Sequence, residues 1–295
     1  LEGEARAAGG AVHVVLGNHE VMNIVGDLRY VTAAEYAAFA GNDDDALRET
    51  AWQRVLAQEP DAARAAFDAA YPAGYFAHRQ AFSASGRYGA WLLQRPFLIT
   101  INDTAFAHGG LPAVVAKLGL DETNRMLHAQ LAAYLQSWQA LESELSLVRP
   151  VGFQERPAAV TGRVTEEQLQ SLVAMQRAEI FTSDGPTWFR GQALCHPYGE
   201  DENLDAALDT LDATRVVVGH SVTGTGRAIG SSSRTAGSAS PMRTCPDSGC
   251  SRKCARALSA RVRPDCPMTC WRSGSNRPRS STSRNSMPAS PNRSA

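Results

Sequence analysis

The stretch that decides the reading is Ala11-Val12-His13-Val14-Val15-Leu16-Gly17-Asn18-His19-Glu20. Its first six residues form a short, continuous apolar run rich in β-branched side chains. Such a run predicts a strand buried on both faces. It leads directly into a polar cluster, Gly17-Asn18-His19-Glu20. Open α/β folds place their sites in that position, just beyond the carboxyl end of a buried strand. Gly17 allows a tight turn and a close approach. Imidazole is a good ligand for Zn, Fe and Mn, and an asparagine carbonyl is an acceptable oxygen ligand.

Downstream, two further histidines repeat the pattern. Phe97–Ile101, the turn residues Asn102-Asp103 and Thr104–Ala107 predict a hairpin, and it opens into His108-Gly109-Gly110. Arg215–Gly219 (RVVVG) predicts a second buried strand, and it ends in His220. One strand-end histidine proves little, but His19, His108 and His220 in one α/β domain predict a spatial cluster. His13, His78, His128 and His196 read as ordinary core or surface residues, and Cys195 as a structural thiol.

The remaining pattern is helical. Residues 1–9 read as the end of an Ala-rich helix, with Gly9-Gly10 suited to its cap. Thr32 to about Ala70 predicts two or three helices, with Asn42–Asp45 as a loop and helix start. Tyr75–Leu93 predicts another helical piece. Asp121–Leu147 predicts a long amphipathic helix with Asp121 as N-cap. Val164–Arg177 carries Thr165 and Gln168 at capping-box spacing. A Gly-, Pro- and aromatic-rich loop follows at Ser183–Gly191, and a last helix is predicted near Asn203–Leu211.

Composition divides the 295 residues in two. Apolar residues make up 43%, enough for a substantial core, and the formal net charge is −1. That near-neutrality hides a split. Residues 228–295 hold 12 Lys and Arg against two Asp, while residues 1–227 hold 17 basic and 28 acidic residues. The last 68 residues also contain 16 Ser, several Pro, five of the six cysteines and one aromatic. No strand or helix period runs through them, a composition that predicts disorder. Their cysteine spacings, C-x4-C-x3-C and C-x3-C, include no C-x-x-C pair, and the tail holds no histidine. That argues against a zinc-stabilised nucleic-acid module. The acidic body likewise disfavours nucleic acid as a partner. No basic segment followed by an apolar run marks a leader, and no apolar run approaches membrane-spanning length. The compartment is not specified.

Four segments in order, VVLGNHEVMN (Val14–Asn23), FAHGGL (Phe106–Leu111), DGPTWFRG (Asp184–Gly191) and VVVGHS (Val216–Ser221), resemble the phosphoprotein phosphatase branch of the calcineurin-like metallophosphoesterases. The resemblance is closest to the bacterial Shewanella-like protein phosphatases and covers about residues 1–227. It implies an α/β fold of two facing sheets flanked by helices, an αββα sandwich, with helical insertions between Thr32 and Leu93. It implies hydrolysis of phosphomonoesters on phosphorylated proteins, with a nucleotide or other small phosphoester as the alternative substrate. A third reading is a catalytically dead or purely binding domain. By resemblance Asn18, His108 and His220 are ligands of the second of two divalent metals (Mn, Fe or Zn). His19 is the general acid, and Arg190 clamps the phosphate. Glu20 and Asp184 are assigned orienting roles. Two metals about 4 Å apart would share a water and neutralise the phosphate, while a histidine supplies the proton that the leaving oxygen needs.

The resemblance also implies segments of the forms Gly-Asp-x-His-Gly and Gly-Asp-x-x-Asp-Arg-Gly ahead of Gly17. They would supply the first metal's ligands, the bridging carboxylate and a second phosphate-binding arginine. The sixteen residues before Gly17 contain neither, and Asp27 lies on the wrong side to stand in. The expectation is a domain incomplete at its N-terminus, with ligands for at most one metal. A frameshift near Arg227 is the matching hypothesis for the tail. Back-translated with G/C-ending codons and shifted to the third base of the Arg234 codon, the text becomes Asp-Gly-Arg-Leu-Arg-Leu-Ala-Asp, a turn followed by an alternating strand. Sequencing the gene across this region tests it.

Overall fold

The structure is a computed structural model that describes residues 1–194, 197–221 and 232–233. Cys195, His196, the expected domain boundary at 227 and nearly all of the 228–295 tail lie outside the described residues.

The predicted hairpin is present. Strands β1 (Leu98–Ile101) and β2 (Thr104–Ala107) pair antiparallel, with Leu98 opposite Ala107 and Ile101 opposite Thr104. Asn102 turns the corner at φ 54°, a left-handed value that Asn tolerates better than most residues. Strand β3 (Arg215–Val218) runs parallel to β2, with Ala107 opposite Val218. A two-residue strand, β4 (Ser232–Ser233), adds antiparallel to β3, giving the order β1-β2-β3-β4.

Alternation along these strands sorts the sheet into two faces. Leu98, Ala105, Ala107, Val216 and Val218 are buried and pack against Leu204, Ala207 and Leu208 of the helix Pro197–Thr210. On the other face Ile99, Phe106 and Val217 are half-buried and Ile101 is exposed. The expected α/β character is therefore present. The second facing sheet has no counterpart among the described residues.

One sequence reading is corrected. Ala11–Leu16 forms no strand, and Ala11 to His13 are exposed. A doubly buried strand needs hydrogen-bonded neighbours along both edges. Here the backbone bond to the rest of the fold is Leu16 N–H to Pro96 O at 2.8 Å. β-Branched composition alone does not supply those neighbours.

The helical readings mostly hold. Three helices, Ala33–Phe39, Asp45–Gln58 and Arg64–Ala70, occupy the acidic insertion, with Asp44 capping the second. The next piece is two helices, Tyr75–Phe82 and Arg87–Leu92, interrupted at Ser83–Gly86. Thr165 and Gln168 form the expected reciprocal cap at 3.2 and 2.9 Å and start the helix Glu166–Met175. The long helix begins earlier than predicted. It spans Ala113–Glu144, broken at Gly119 (φ 73°, ψ −170°), so Asp121 follows a break inside the element rather than capping it.

Its buried stripe, Leu127, Leu131, Tyr134, Trp138 and Leu141, recurs at three and four residues and carries the main core. Val21, Ile24 and Val25 of the helix Asn18–Val25 pack into the same core. Each fully buried Leu or Val of this kind contributes roughly 1.5–3 kcal/mol relative to exposure. That burial fixes the helix carrying Asn18 and His19. Among the described residues no helix is long and apolar enough to cross a membrane.

Candidate active site

Because β2 and β3 are parallel neighbours, their carboxyl ends emerge at the same edge of the sheet. The Gly219 N–H donates to His108 O at 2.9 Å, one step beyond the last paired residues. His108 and His220 therefore leave the sheet side by side. His220 adopts φ 56°, a left-handed conformation uncommon for residues other than glycine, although histidine is among those enriched there. Their rings meet edge to face with centroids 4.7 Å apart, and His108 Nε2 lies 2.6 Å from His220 Nδ1.

The helix Asn18–Val25 delivers the other two residues. Gly17 is its N-cap, and its N–H donates to Glu20 Oε2 at 2.9 Å, the carboxylate half of a capping box. Asn18, 1% exposed, thereby points its Oδ1 at His108 Nε2, 2.8 Å away. A methyl on Gly17 would lie 2.5 Å from the His108 ring, so only glycine admits this approach. His19 sits edge-on to His220, with ring centroids 4.8 Å apart.

Arg190 approaches from the Asp184–Gly191 loop. Its Nη1 donates to Thr187 O at 3.1 Å and Phe189 O at 2.8 Å, and a Cβ on Gly109 would lie 2.3 Å from that nitrogen. No carboxylate pairs with it among the described residues. Burial lowers its pKa. Burial, then the charges of His220, Arg190 and His19, push the His108 pKa down to about 4. Burial and then Arg190 also lower that of His220. Both rings are thus held neutral, the form in which imidazole ligates.

All five residues singled out in the sequence, Asn18, His19, His108, Arg190 and His220, come to one edge of the sheet. Two imidazole nitrogens and an amide oxygen converge there, a donor set that fits a borderline divalent ion such as Mn, Fe or Zn. The fit stops at three donors. Among the described residues no group of three His, Cys, Asp or Glu side chains gathers as a metal site, and no bridging carboxylate joins this one. Glu20 accepts from the Gly17 N–H at 2.9 Å at the start of the helix. Asp184 is exposed, and no hydrogen bond or ion pair places it among the described residues.

Two neighbours escaped the sequence reading. Tyr30, 55% exposed, stacks on His19 at 5.1 Å and 16°. Gln192 clamps the backbone of Leu111, accepting from its N–H at 2.9 Å and donating to its carbonyl at 3.0 Å. That clamp ties the His108 loop to the Arg190 loop. No spacing rule announces either contact, since each joins two separate segments of the chain.

The chain that builds this arrangement is similar in sequence to known phosphatases. The chain is 23% identical over 223 residues to Shewanella-like protein phosphatase 1 of Plasmodium berghei (strain Anka), covering 75% of this chain and 44% of that protein. It is 30% identical over 145 residues to Shewanella-like protein phosphatase 2 of Arabidopsis thaliana, covering 42% and 34%. The chain is a relative of the Shewanella-like protein phosphatases. It spans less than half the length of these curated relatives. Both of these relatives are eukaryotic, so the likeness extends beyond bacteria. No family model matches the chain. Among solved structures, a cold-active protein tyrosine phosphatase is 24% identical with a TM-score of 0.43, covering 76% of this chain and 47% of that one. The cold-active protein-tyrosine phosphatase of a psychrophilic Shewanella species is 24% identical with a TM-score of 0.41, covering 75% of this chain and 47% of that one. Scores this low leave the fold to be judged from the elements described above.

Proposed function

We propose that this domain derives from, and in its complete form acts as, a metal-dependent phosphomonoester hydrolase directed at phosphorylated proteins. The observation that carries the reading is the convergence of Asn18 Oδ1 and His220 Nδ1 on His108 Nε2, at 2.8 and 2.6 Å, with His19 and Arg190 beside them. Asn18, His108 and His220 would hold one divalent metal, which when bound supplies Lewis-acid neutralisation of the phosphate. Arg190 offers planar donors to phosphate oxygens. His19 stands at the cluster's edge, where it can give a proton to the leaving oxygen. A two-sheet sandwich would cover the sheet face carrying Ile99, Ile101, Phe106 and Val217, which is only partly covered here.

A second reading has its own observation. Three donors, with no bridging carboxylate among the described residues, suffice for one metal, which suits a phosphoester-binding domain without turnover. Assaying the chain in Mn with phosphotyrosine and phosphoserine peptides and with nucleoside monophosphates separates these readings. Turnover of peptides supports the first. Preference for nucleotides changes the substrate class, and metal binding without turnover favours the second. Where turnover is found, His19→Ala is expected to slow alkyl phosphates by about 10²–10⁴-fold and activated aryl phosphates far less. Equal losses on both would remove His19 from the proton-donor role.

A further inference from the structure

The far end of the Asn18–Val25 helix is held by two arginines. Arg79 Nη1 donates to Asn23 O at 2.5 Å. Arg156 Nη2 donates to Val25 O, and its Nη1 donates to Tyr134 Oη at 2.8 Å. Arg156 is 4% exposed, with its guanidinium 4.4 Å from the Trp138 ring centre. Both cations reach the same glycine. A methyl on Gly26 would lie 3.1 Å from Arg79 Nη2 and 3.2 Å from Arg156 Nη2.

Neither arginine has an ion-pair partner among the described residues. The nearby Asp27 carboxylate is taken by Arg29 in a two-point contact at 2.8 and 2.7 Å. Glu142 and Glu155 line the same space without reaching ion-pair distance of either arginine. A buried Arg156 and a half-buried Arg79 beside the same glycine, with no carboxylate at ion-pair distance of either among the described residues, are incompletely compensated. Burial lowers the Arg79 pKa, and the Arg156 charge lowers it further, while Tyr75 and Glu142 raise it. Helix capping explains one Arg79 donor; Nε and Nη2 have no hydrogen-bond partner among the described residues. Both arginines border a cavity of about 320 Å³ with Tyr36, Tyr71, Tyr75 and Phe153 in its wall.

We propose that this cavity, between Arg79 and Arg156 over Gly26, is a binding site for a small oxyanion, a phosphate or a carboxylate. The planar donor fork of arginine matches both anions. The site is separate from the histidine cluster: eight helical residues put the two ends of the helix about 10 Å apart. An anion here neutralises the arginine pair that anchors the helix bearing Asn18 and His19.

The test is a titration of the chain, with chelator present, by inorganic phosphate and separately by succinate, following the Gly26 amide by NMR. A saturable shift is expected for at least one anion, with Kd on the order of 1 mM. Arg79→Met is expected to weaken it about tenfold and Arg79→Lys less, since lysine keeps the charge and loses the fork. Arg190→Met is expected to leave the Gly26 response unchanged. The Arg79→Lys protein guards against a folding defect in Arg79→Met. A Gly26 amide that neither anion moves, or that responds equally in both Arg79 variants and the parent, overturns the proposal. A response lost in Arg190→Met also overturns it, because the anion then sits at the histidine cluster.

Discussion

Gly17 is the residue at which one methyl group would most disturb the histidine cluster. Its Cβ would lie 2.5 Å from both Cε1 and Nδ1 of His108, and 2.7 Å from Glu20 Oε2. The His108 ring would have to swing away from Asn18 Oδ1. Gly17→Ala is therefore expected to cost about 1–3 kcal/mol of stability, the usual penalty for overpacking. Urea unfolding measures that cost, and the His108 ring resonances in NMR report the displacement. Unchanged stability with unmoved His108 resonances would show that the approach is looser than described. The motif reading singled out Gly17, Asn18, His19, His108, Arg190 and His220 because each lies at a strand end or in a glycine-rich loop, where position along the chain implies position in space. Tyr30 was not legible. Its stack on His19 depends on the reversal after Gly26, which ends the helix at φ 82°, and on Arg29 lying 5.7 Å over its ring.

At the level of elements, the hairpin is docked by one polar side chain. Asn124, on the long helix, accepts from Phe97 N–H at 2.8 Å and Leu98 N–H at 3.2 Å through Oδ1. Its Nδ2 donates to Leu98 O at 2.8 Å and Leu120 O at 3.1 Å. Among the described residues the start of β1 has no strand neighbour on that side, and these bonds take the place of a ladder. Asn124→Ala is expected to destabilise by about 1–3 kcal/mol, because it leaves partly buried backbone groups without partners. The faster amide hydrogen exchange should centre on Phe97 and Leu98. Exchange that rises evenly over the whole domain, or not at all, would argue against a local docking role. The strand reading of Ala11–Leu16 failed at this same level. Composition specifies willingness to pair, whereas pairing requires a neighbouring edge.

At the scale of the whole molecule, one buried imidazole makes stability depend on pH. His78 is 3% exposed, packed among Tyr36, Phe39 and Phe82, with Nδ1 lacking a hydrogen bond. Burial, and to a lesser degree Arg79, pushes its pKa down to about 4, while Glu35 acts weakly the other way. The folded state thus resists a proton that the unfolded chain accepts from about pH 6.5 downward. Stability attributable to this group is complete above pH 6.5 and falls as pH drops towards 4. His78→Phe removes one titrating group and is expected to lessen the slope of the stability profile across that window, the remaining slope coming from groups such as His108, also pushed down to about 4. An unaltered slope in denaturant titrations from pH 7 to 4 would transfer the effect to other residues.

The sequence by itself determined most of the helices, the hairpin, the reciprocal cap at Thr165 and Gln168, and the five candidate site residues that the fold brings to one edge. These follow from local rules, since turn chemistry, hydrophobic period and capping act within a few residues. Tertiary structure alone decided the rest. It set the parallel register that carries His108 and His220 to a common edge, and the three-residue contact among Asn18, His108 and His220. It also brought Arg79 and Arg156 together over Gly26, across segments 77 residues apart in sequence. The physical reason is that burial and like-charge proximity belong to pairs of distant segments. A one-dimensional pattern records which groups are available to meet, and the packed core selects those that do.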